Sequence, residues 1–314
     1  MAALVAGPAV GAAQSGVGNE GALFLLVPVG ARSVALGQAV AASEPGSEGI
    51  WENPASMARL TRRELALNHS TSIAATLDAL VFVLPRGKIG VISAAAYLLD
   101  YGAQDITDIT GNVIGQSIPR SVILAASYAA TFGKRVRAGV SYKFLQERQD
   151  CSGDCTSAQT HVPSTSAFDV GVQATVDDSA RITIGAYVRN LGFPLQINDV
   201  EQADPLPARL HLGAQYLFPA GGHLGPDASA LVSAEFVTNP QLDRKIVRIG
   251  SELSYRQQLF VRVGYASGND QASGISIGFG LQRGGIALDF ARTTGGVSSD
   301  AGKPPTFVSL RFRF

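Results

Sequence analysis

The chain is short of charge. Only 16% of its 314 residues are Asp, Glu, Lys or Arg, against the ~25% usual in soluble domains. The 25 acidic and 25 basic residues cancel, so net charge recruits neither nucleic acid nor acidic partners. A long apolar run is also missing. The longest, Ala22 to Val29 (ALFLLVPV), is interrupted by Pro28 and falls far short of the ~20 residues a spanning helix needs. A membrane location would therefore require a closed β-barrel, the other way to satisfy every backbone polar group in lipid. Cysteine is nearly absent: Cys151 and Cys155, in QDCSGDCTS, are the whole supply. In an exported protein they read as a small disulfide clipping a loop, with two reduced thiols as the alternative. With His161 the only imidazole nearby, they make a poor metal cage.

Catalytic patterns are missing too. His69, His161, His211 and His223 are scattered, and no G-x-S-x-G, H-E-x-x-H or P-loop pattern occurs. GFGLQRGG is glycine-rich but belongs to a run of strands with no helix to form a phosphate site. DITDIT, Asp105 to Thr110, reads as a solvated loop before it reads as a calcium site. His211 shares a register with Arg209 and Gln215 and is either pore-lining or a satisfied structural residue. The sequence indicates no enzyme, no cofactor and no metal.

What the chain has is glycine, 35 residues of it, and period-two alternation. KIVRIGSELSY sets Val247, Ile249, Leu253 and Tyr255 against Arg248, Gly250, Glu252 and Ser254. LFVRVGYAS, GISIGFGLQ and GIALDFA repeat the theme, as strands of an antiparallel meander do. Candidate strands fall near 62–72, 75–85, 88–101, 120–132, 135–149, 166–176, 180–191, 206–218, 226–238, 244–256, 258–267, 273–283, 285–294 and 306–314. That is about fourteen, an even number, with tight connections alternating with long ones at 102–119, 150–165 and 192–205. A soluble sandwich would alternate as well, but its second face would meet bulk water and carry Lys, Glu and Thr. Here that face is mostly Gly, Ala and Ser with isolated charges. Small residues and pairable charges suit a lumen, so Arg248, Glu252, Arg262, Asp289 and Arg311 are expected to face inward and the Val, Leu, Ile and aromatic face to meet lipid. Tyr142, Phe144, Tyr216, Phe218, Tyr255 and Tyr265 share the outward register, where interface girdles belong. The fold expected is an all-β transmembrane antiparallel barrel of about fourteen strands, spanning residues 62–314, in the bacterial outer membrane.

Three boundaries follow. Residues 1–13 resemble the end of a secretory signal, with Gly11-Ala12-Ala13 as a cleavage site before Gln14, though no basic stretch precedes it. Residues 14–61 differ in kind from the strands and are expected to form a short helical hatch inside the barrel. A barrel of this size leaves an interior that side chains alone do not fill. Ala31 to Ala42 has helical composition, and ENPASM enters a short helix with Asn53 as N-cap and Pro54 at its first position, followed by Ala55. Arg32 is then a natural partner for Glu252 or Asp289. The chain ends PTFVSLRFRF, a strand that must pair with the first to close a barrel. Val308, Leu310, Phe312 and Phe314 resemble, position by position, the C-terminal signal that outer-membrane assembly machinery recognises.

The N-terminal third also carries a family resemblance. FLLVPVGARSVALGQAVAA and IWENPASMARL resemble the opening of PorV/PorQ-type outer-membrane proteins, which are related in fold to FadL-type transporters of hydrophobic compounds. The matching residues are Phe24, Leu25, Gly30, Ala31, Arg32, Gly37, Ala39, Asn53, Pro54 and Ala55, with NLGFPL, PLPARLHLG and GYASG further on. The chain departs from the family in its acidic position before the Asn-Pro, for which Glu44 and Glu48 are shifted candidates. It is also shorter than typical FadL-type transporters. The resemblance implies a non-enzymatic accessory of protein secretion, of the type IX kind, or of cell-surface assembly, with secreted or surface proteins as partners. The alternative it implies is a FadL-like passive path for a small hydrophobic ligand. An apolar pocket under the outer loops favours the transporter, and an exposed apolar patch on the rim favours the accessory.

Overall fold

In the computed structural model the described residues are 20–155, 162–196, 203–221, 224–239, 244–267, 274–295, 299 and 302–314. His161, His223 and the signal-like residues 1–13 lie outside them.

Fourteen strands close on themselves. They are β1 (Glu64–Thr71), β2 (Thr76–Pro85), β3 (Val91–Asp100), β4 (Val113–Phe132), β5 (Val136–Gly153), β6 (Ser164–Thr175) and β7 (Ile182–Gly192). The second half comprises β8 (Arg209–Phe218), β9 (Ala228–Asn239), β10 (Arg244–Tyr255), β11 (Leu259–Ala266), β12 (Gly274–Arg283), β13 (Ile286–Thr293) and β14 (Thr306–Arg313). Each strand pairs antiparallel with its sequence neighbour, and β1 pairs with β14, Leu65 opposite Phe312 and Leu67 opposite Leu310. Closure leaves no open edge. The fourteen strands legible in the alternation are therefore the fourteen of the barrel.

One connection differs from its sequence reading. Residues 102–119 read as a loop because Gly111, Asn112 and Pro119 punctuate them. Instead β4 begins at Val113 and pairs with a short strand, Gln104–Thr107. Asp108 organises the turn between them, accepting from the Thr110 hydroxyl and from the Thr110 and Asn112 amides. With 20 residues in β4 and 18 in β5, this hairpin is the longest part of the wall.

The barrel's two faces separate by chemistry. Val247, Ile249, Leu253, Val261, Ile277 and Leu288 are exposed on the outside, where lipid covers them. The outward aromatics Tyr142, Tyr216, Phe218, Tyr255 and Tyr265 are exposed as well. The inner face divides in two. Along β2 and β3 it is mainly apolar: Leu77, Val81, Val83, Val91, Tyr97 and Leu99 are buried there, with Ile123 of β4 beside them, while β1 turns Glu64, Asn68 and Ser70 inward. From β7 to β14 it carries Arg189, Arg209, His211, Glu235, Arg248, Glu252, Arg262, Asp289 and Arg311, all buried. The sequence signal of polar residues facing inward thus holds for the second half of the barrel and fails for β2 and β3, which are apolar on both faces.

Candidate passage through the lumen

Residues 20–60 lie inside the barrel. They form four short pieces: 3-10 turns at Leu23–Leu26, Gly46–Ile50 and Pro54–Arg59, and one helix, α1 (Ala31–Ala35). The helix expected over Ala31 to Ala42 stops after its first turns. Gly37 takes a left-handed φ of 62° and Gln38 follows at 59°, which ends the helix and lays its C-terminal side against β11.

Glycine on the wall makes this contact possible. A Cβ on Gly264 would lie 2.0 Å from the Gly37 nitrogen, and one on Gly185 would lie 2.0 Å from the Ala41 carbonyl oxygen. Gly171 faces the Asn53 side chain just as closely. Gly250 pairs with Gly264 across β10 and β11, and Gly185 pairs with Gly213 across β7 and β8. The small residues of the inner face are thus a seat for backbone, not space for water.

The charged wall holds the segment by its polar groups. Glu235 on β9 accepts from the Val40 and Ala41 amides at 2.9 and 2.7 Å, and faces His211 Nδ1 at 2.7 Å and Arg248 at 3.3 Å. Arg32 on α1 donates to Glu252 at 3.0 Å. Glu252 also takes Arg262 Nε at 2.6 Å, Arg262 reaches Asp289 at 2.6 Å, and Asp289 pairs with Arg311. Arg311 in turn donates to the Pro45 carbonyl, and Ser309 accepts from the Ala31 amide at 2.8 Å. A buried charge in this setting needs such partners. The alternating signs along β10, β11, β13 and β14 supply them.

Asn53 caps the last 3-10 turn, its Oδ1 accepting from the Ala55 amide at 3.1 Å, with Pro54 at the first position. Its Nδ2 donates to the Ala41 carbonyl at 2.8 Å and to Val172 on the wall at 3.3 Å. Glu48 accepts from the Ser33 amide and hydroxyl at 3.0 and 2.8 Å. Burial pushes its carboxyl above the ordinary carboxylate range, against the pull of the Arg311 guanidinium. Glu44 is half-exposed and bridges Arg59 and Arg137, each at 2.7 Å.

Several anchors escaped the sequence reading. Glu52 meets Arg189 and the Tyr187 hydroxyl, each at 3.3 Å. Lys143 and Asp169 form a buried pair at 2.5 Å. Glu64 accepts from the Ser47 amide at 2.8 Å and from Arg313 at 2.7 Å. A bulge in β7 turns both Arg189 and Asn190 inward, with Asn190 at a φ of 59°. The available signal was a charge at an inward strand position. Strict alternation hides the bulge.

The apolar wall meets the segment differently. Phe24, Leu25, Val29, Ile50, Trp51 and Met57 pack with Val81, Val83, Val91, Tyr97 and Leu99 in one cluster. Trp51 and Tyr97 meet at a tilt, ring centroids 5.9 Å apart, and the Tyr97 hydroxyl donates to the Phe24 carbonyl at 3.2 Å. Above the cluster lies a cavity of about 370 Å³ between Leu23, Phe24 and Val27 of the segment and Leu77, Leu99, Tyr101 and Phe307 of the wall. The turn 72–75 forms its rim, and no charged side chain lines it. At the other end of the lumen two polar cavities, about 300 and 280 Å³, are lined by Arg32, Glu44, Arg59, Glu64, Glu252 and Arg313 among others.

The remaining sequence candidates fall elsewhere. Cys151 and Cys155 are joined by a disulfide at the end of β5, away from the lumen contacts. Val308, Leu310 and Phe312 face outward on β14, and Phe314 ends the chain with its amide and carbonyl bonded to Arg63. Asp108 is held at about 2 by the Thr110 hydroxyl and the Asn112 amide, so the DITDIT carboxylate serves its own turn. Among the described residues no group of acidic, His or Cys side chains could hold a metal ion.

The fold has solved counterparts. The toluene transporter TbuX of Ralstonia pickettii superposes over 91% of this chain and 98% of its own, with a TM-score of 0.57 at 15% identity. The CymD monoaromatic hydrocarbon channel covers 92% and 98%, with a TM-score of 0.60 at 13% identity. A FadL homologue of Pseudomonas aeruginosa covers 92% and 98%, with a TM-score of 0.51 at 11% identity. Identities this low establish a shared fold. No protein-family model and no curated protein matches the sequence, so the PorV/PorQ resemblance gains no support from either. The chain shares its closed β-barrel fold with these channels and transporters.

Proposed function

We propose that the chain is a passive, non-enzymatic path for small uncharged hydrophobic molecules across the bacterial outer membrane. The observation that carries this reading is the charge-free cavity at the 72–75 rim, bounded on one side by the N-terminal segment. Its volume suits a small ligand. A carboxylate or ammonium entering it would find no counter-charge and would lose its hydration, at a cost of several kcal/mol. A neutral hydrocarbon loses nothing there and gains by leaving water.

Residues 20–60 act in this reading as a hatch. Beneath the cavity the apolar wall continues through Leu77, Val81, Val83 and Val91, but Trp51 and Met57 fill the space against it. Passage therefore requires those side chains to move while the charged wall keeps the segment in place. The neighbouring toluene transporter and hydrocarbon channel share the fold, which supports the reading by analogy. The secretion-accessory reading has no comparable feature behind it.

Uptake of a radiolabelled monoaromatic hydrocarbon by cells producing the barrel, against cells carrying an empty vector, tests the proposal. Faster initial uptake of the hydrocarbon, with no change for its carboxylated analogue, is the expected result. Equal hydrocarbon uptake in both cell types would overturn it.

A further inference from the structure

The end of the barrel that holds the chain terminus is ringed by cations. Bacterial barrels keep their short turns on the periplasmic side, and this end has them: residues 86–90, 133–135, 256–258 and 284–285 connect strands here. Arg62 and Arg63 precede β1, Arg86 and Lys88 lie in the β2–β3 turn, and Lys134 lies in the β4–β5 turn; all are exposed. Arg181 and Arg283 continue the ring at the start of β7 and the end of β12, also exposed. Arg135 pairs with Asp178 and Arg256 with Asp227. The other seven cations make no side-chain ion pair among the described residues.

At the opposite end the cations meet acids: Arg120 pairs with both Asp100 and Asp150, and Arg148 with Asp150.

Two features identify what the ring meets. Six of the seven follow the curve of the rim from the end of β12 across the seam to the β4–β5 turn, and Arg181 stands further on at the start of β7. A globular protein partner would need a contiguous patch, whereas a lipid annulus touches every turn. Large apolar side chains also sit beside them: Ile89 is 70% exposed, Phe132 59% and Phe314 64%. Cations on strand ends next to exposed aromatic and aliphatic groups match the headgroup level of a bilayer.

We infer that this ring binds the anionic headgroups of phospholipids in the periplasmic leaflet and fixes the barrel's height and tilt there. The attraction of each Lys or Arg to an anionic surface falls off within a Debye length. A lipid shell selective for the phosphatidylglycerol headgroup follows from a row of such groups at one end of the barrel.

The test uses the full-length barrel reconstituted in phosphatidylcholine vesicles with a trace of spin-labelled lipid. The motionally restricted fraction of the label is compared for phosphatidylglycerol and phosphatidylcholine. The native barrel should enrich phosphatidylglycerol several-fold, and the preference should fade as salt shortens the screening length from ~10 Å at 0.1 M to ~3 Å at 1 M. Replacing Arg63, Arg86, Lys88, Lys134, Arg181 and Arg283 by Gln should abolish the preference, while Arg292→Gln with Lys303→Gln at the other end should leave it. Equal restriction of the two lipids by the native protein would overturn the inference. So would a preference that persists at high salt or in the six-fold variant. If that variant does not assemble, the salt dependence of the native barrel decides alone.

Discussion

The two halves of the inner wall hold the same segment by opposite means. Along β7 to β14 directional contacts hold it: Glu235 to the Val40 and Ala41 amides, Glu252 to Arg32, Ser309 to the Ala31 amide. Along β2 and β3 the contacts are mainly apolar packing of Phe24, Trp51 and Met57 on Val81, Tyr97 and Leu99. Directional bonds between buried charges fix position and are costly to break. Apolar packing is indifferent to rotation and slides at little cost. A segment fixed on one side and greased on the other can yield along the greased side. The apolar cavity opens on that side.

Removing the segment should have the largest effect. Deleting residues 20–58 leaves the strand pairings untouched, including the β1–β14 closure, so the barrel should assemble and conduct ions in planar bilayers where the native protein does so weakly. Unchanged conductance would mean that the segment does not block the lumen.

Breaking the directional side at one point comes next. Glu235→Leu leaves Arg248 and two amides without their carboxylate, a loss of ~3–5 kcal/mol for a buried charge left unpaired. Denaturant unfolding should show it, and residues 36–45 should become protease-sensitive from the periplasmic side. Steric damage on the same wall is smaller. Gly264→Val forces a side chain into the Gly37 backbone and should cost ~1–3 kcal/mol by overpacking, read as a lower unfolding midpoint with the barrel still folded.

The smallest effect is expected far from both walls. The Cys151–Cys155 bridge closes a short loop, worth at most ~2 kcal/mol. Cys151→Ser with Cys155→Ser should leave heat-modifiable gel migration unchanged. In the native protein neither thiol should react with an alkylating reagent before reduction.

The strands were legible because lipid enforces them. Outside the barrel every second residue must be apolar, and KIVRIGSELSY shows this without ambiguity. The charged wall was legible for the same reason, since Arg248, Glu252, Arg262, Asp289 and Arg311 stand at inward positions in plainly alternating strands. The apolar wall was not. VFVLP and VISAAAYLL are apolar on both faces, so alternation cannot say which face is which. The glycines misled in a different way. As small inward residues they suited an open lumen, whereas Gly185 and Gly264 are small because the backbone of residues 36–42 lies against them, and Gly171 because the Asn53 side chain does. Nothing in a strand's own sequence reports what passes behind it. For the same reason the helix expected from Ala31 to Ala42 ended at Ala35: the left-handed turn at Gly37 is set by contact with β11.

The central claim is that hydrophobic molecules enter through the apolar cavity while the charged wall only anchors. Initial uptake of a labelled monoaromatic hydrocarbon tests it most directly, measured in one experiment for three barrels at equal outer-membrane level: native, Leu23→Glu with Val27→Glu, and Gln257→Ala. The first pair places carboxylates at two cavity positions that are not fully buried, so folding should survive. Gln257 lines the polar cavity at the far end. The account predicts that uptake falls to the empty-vector rate in the cavity variant and stays native in Gln257→Ala. Native uptake by a folded cavity variant would contradict it.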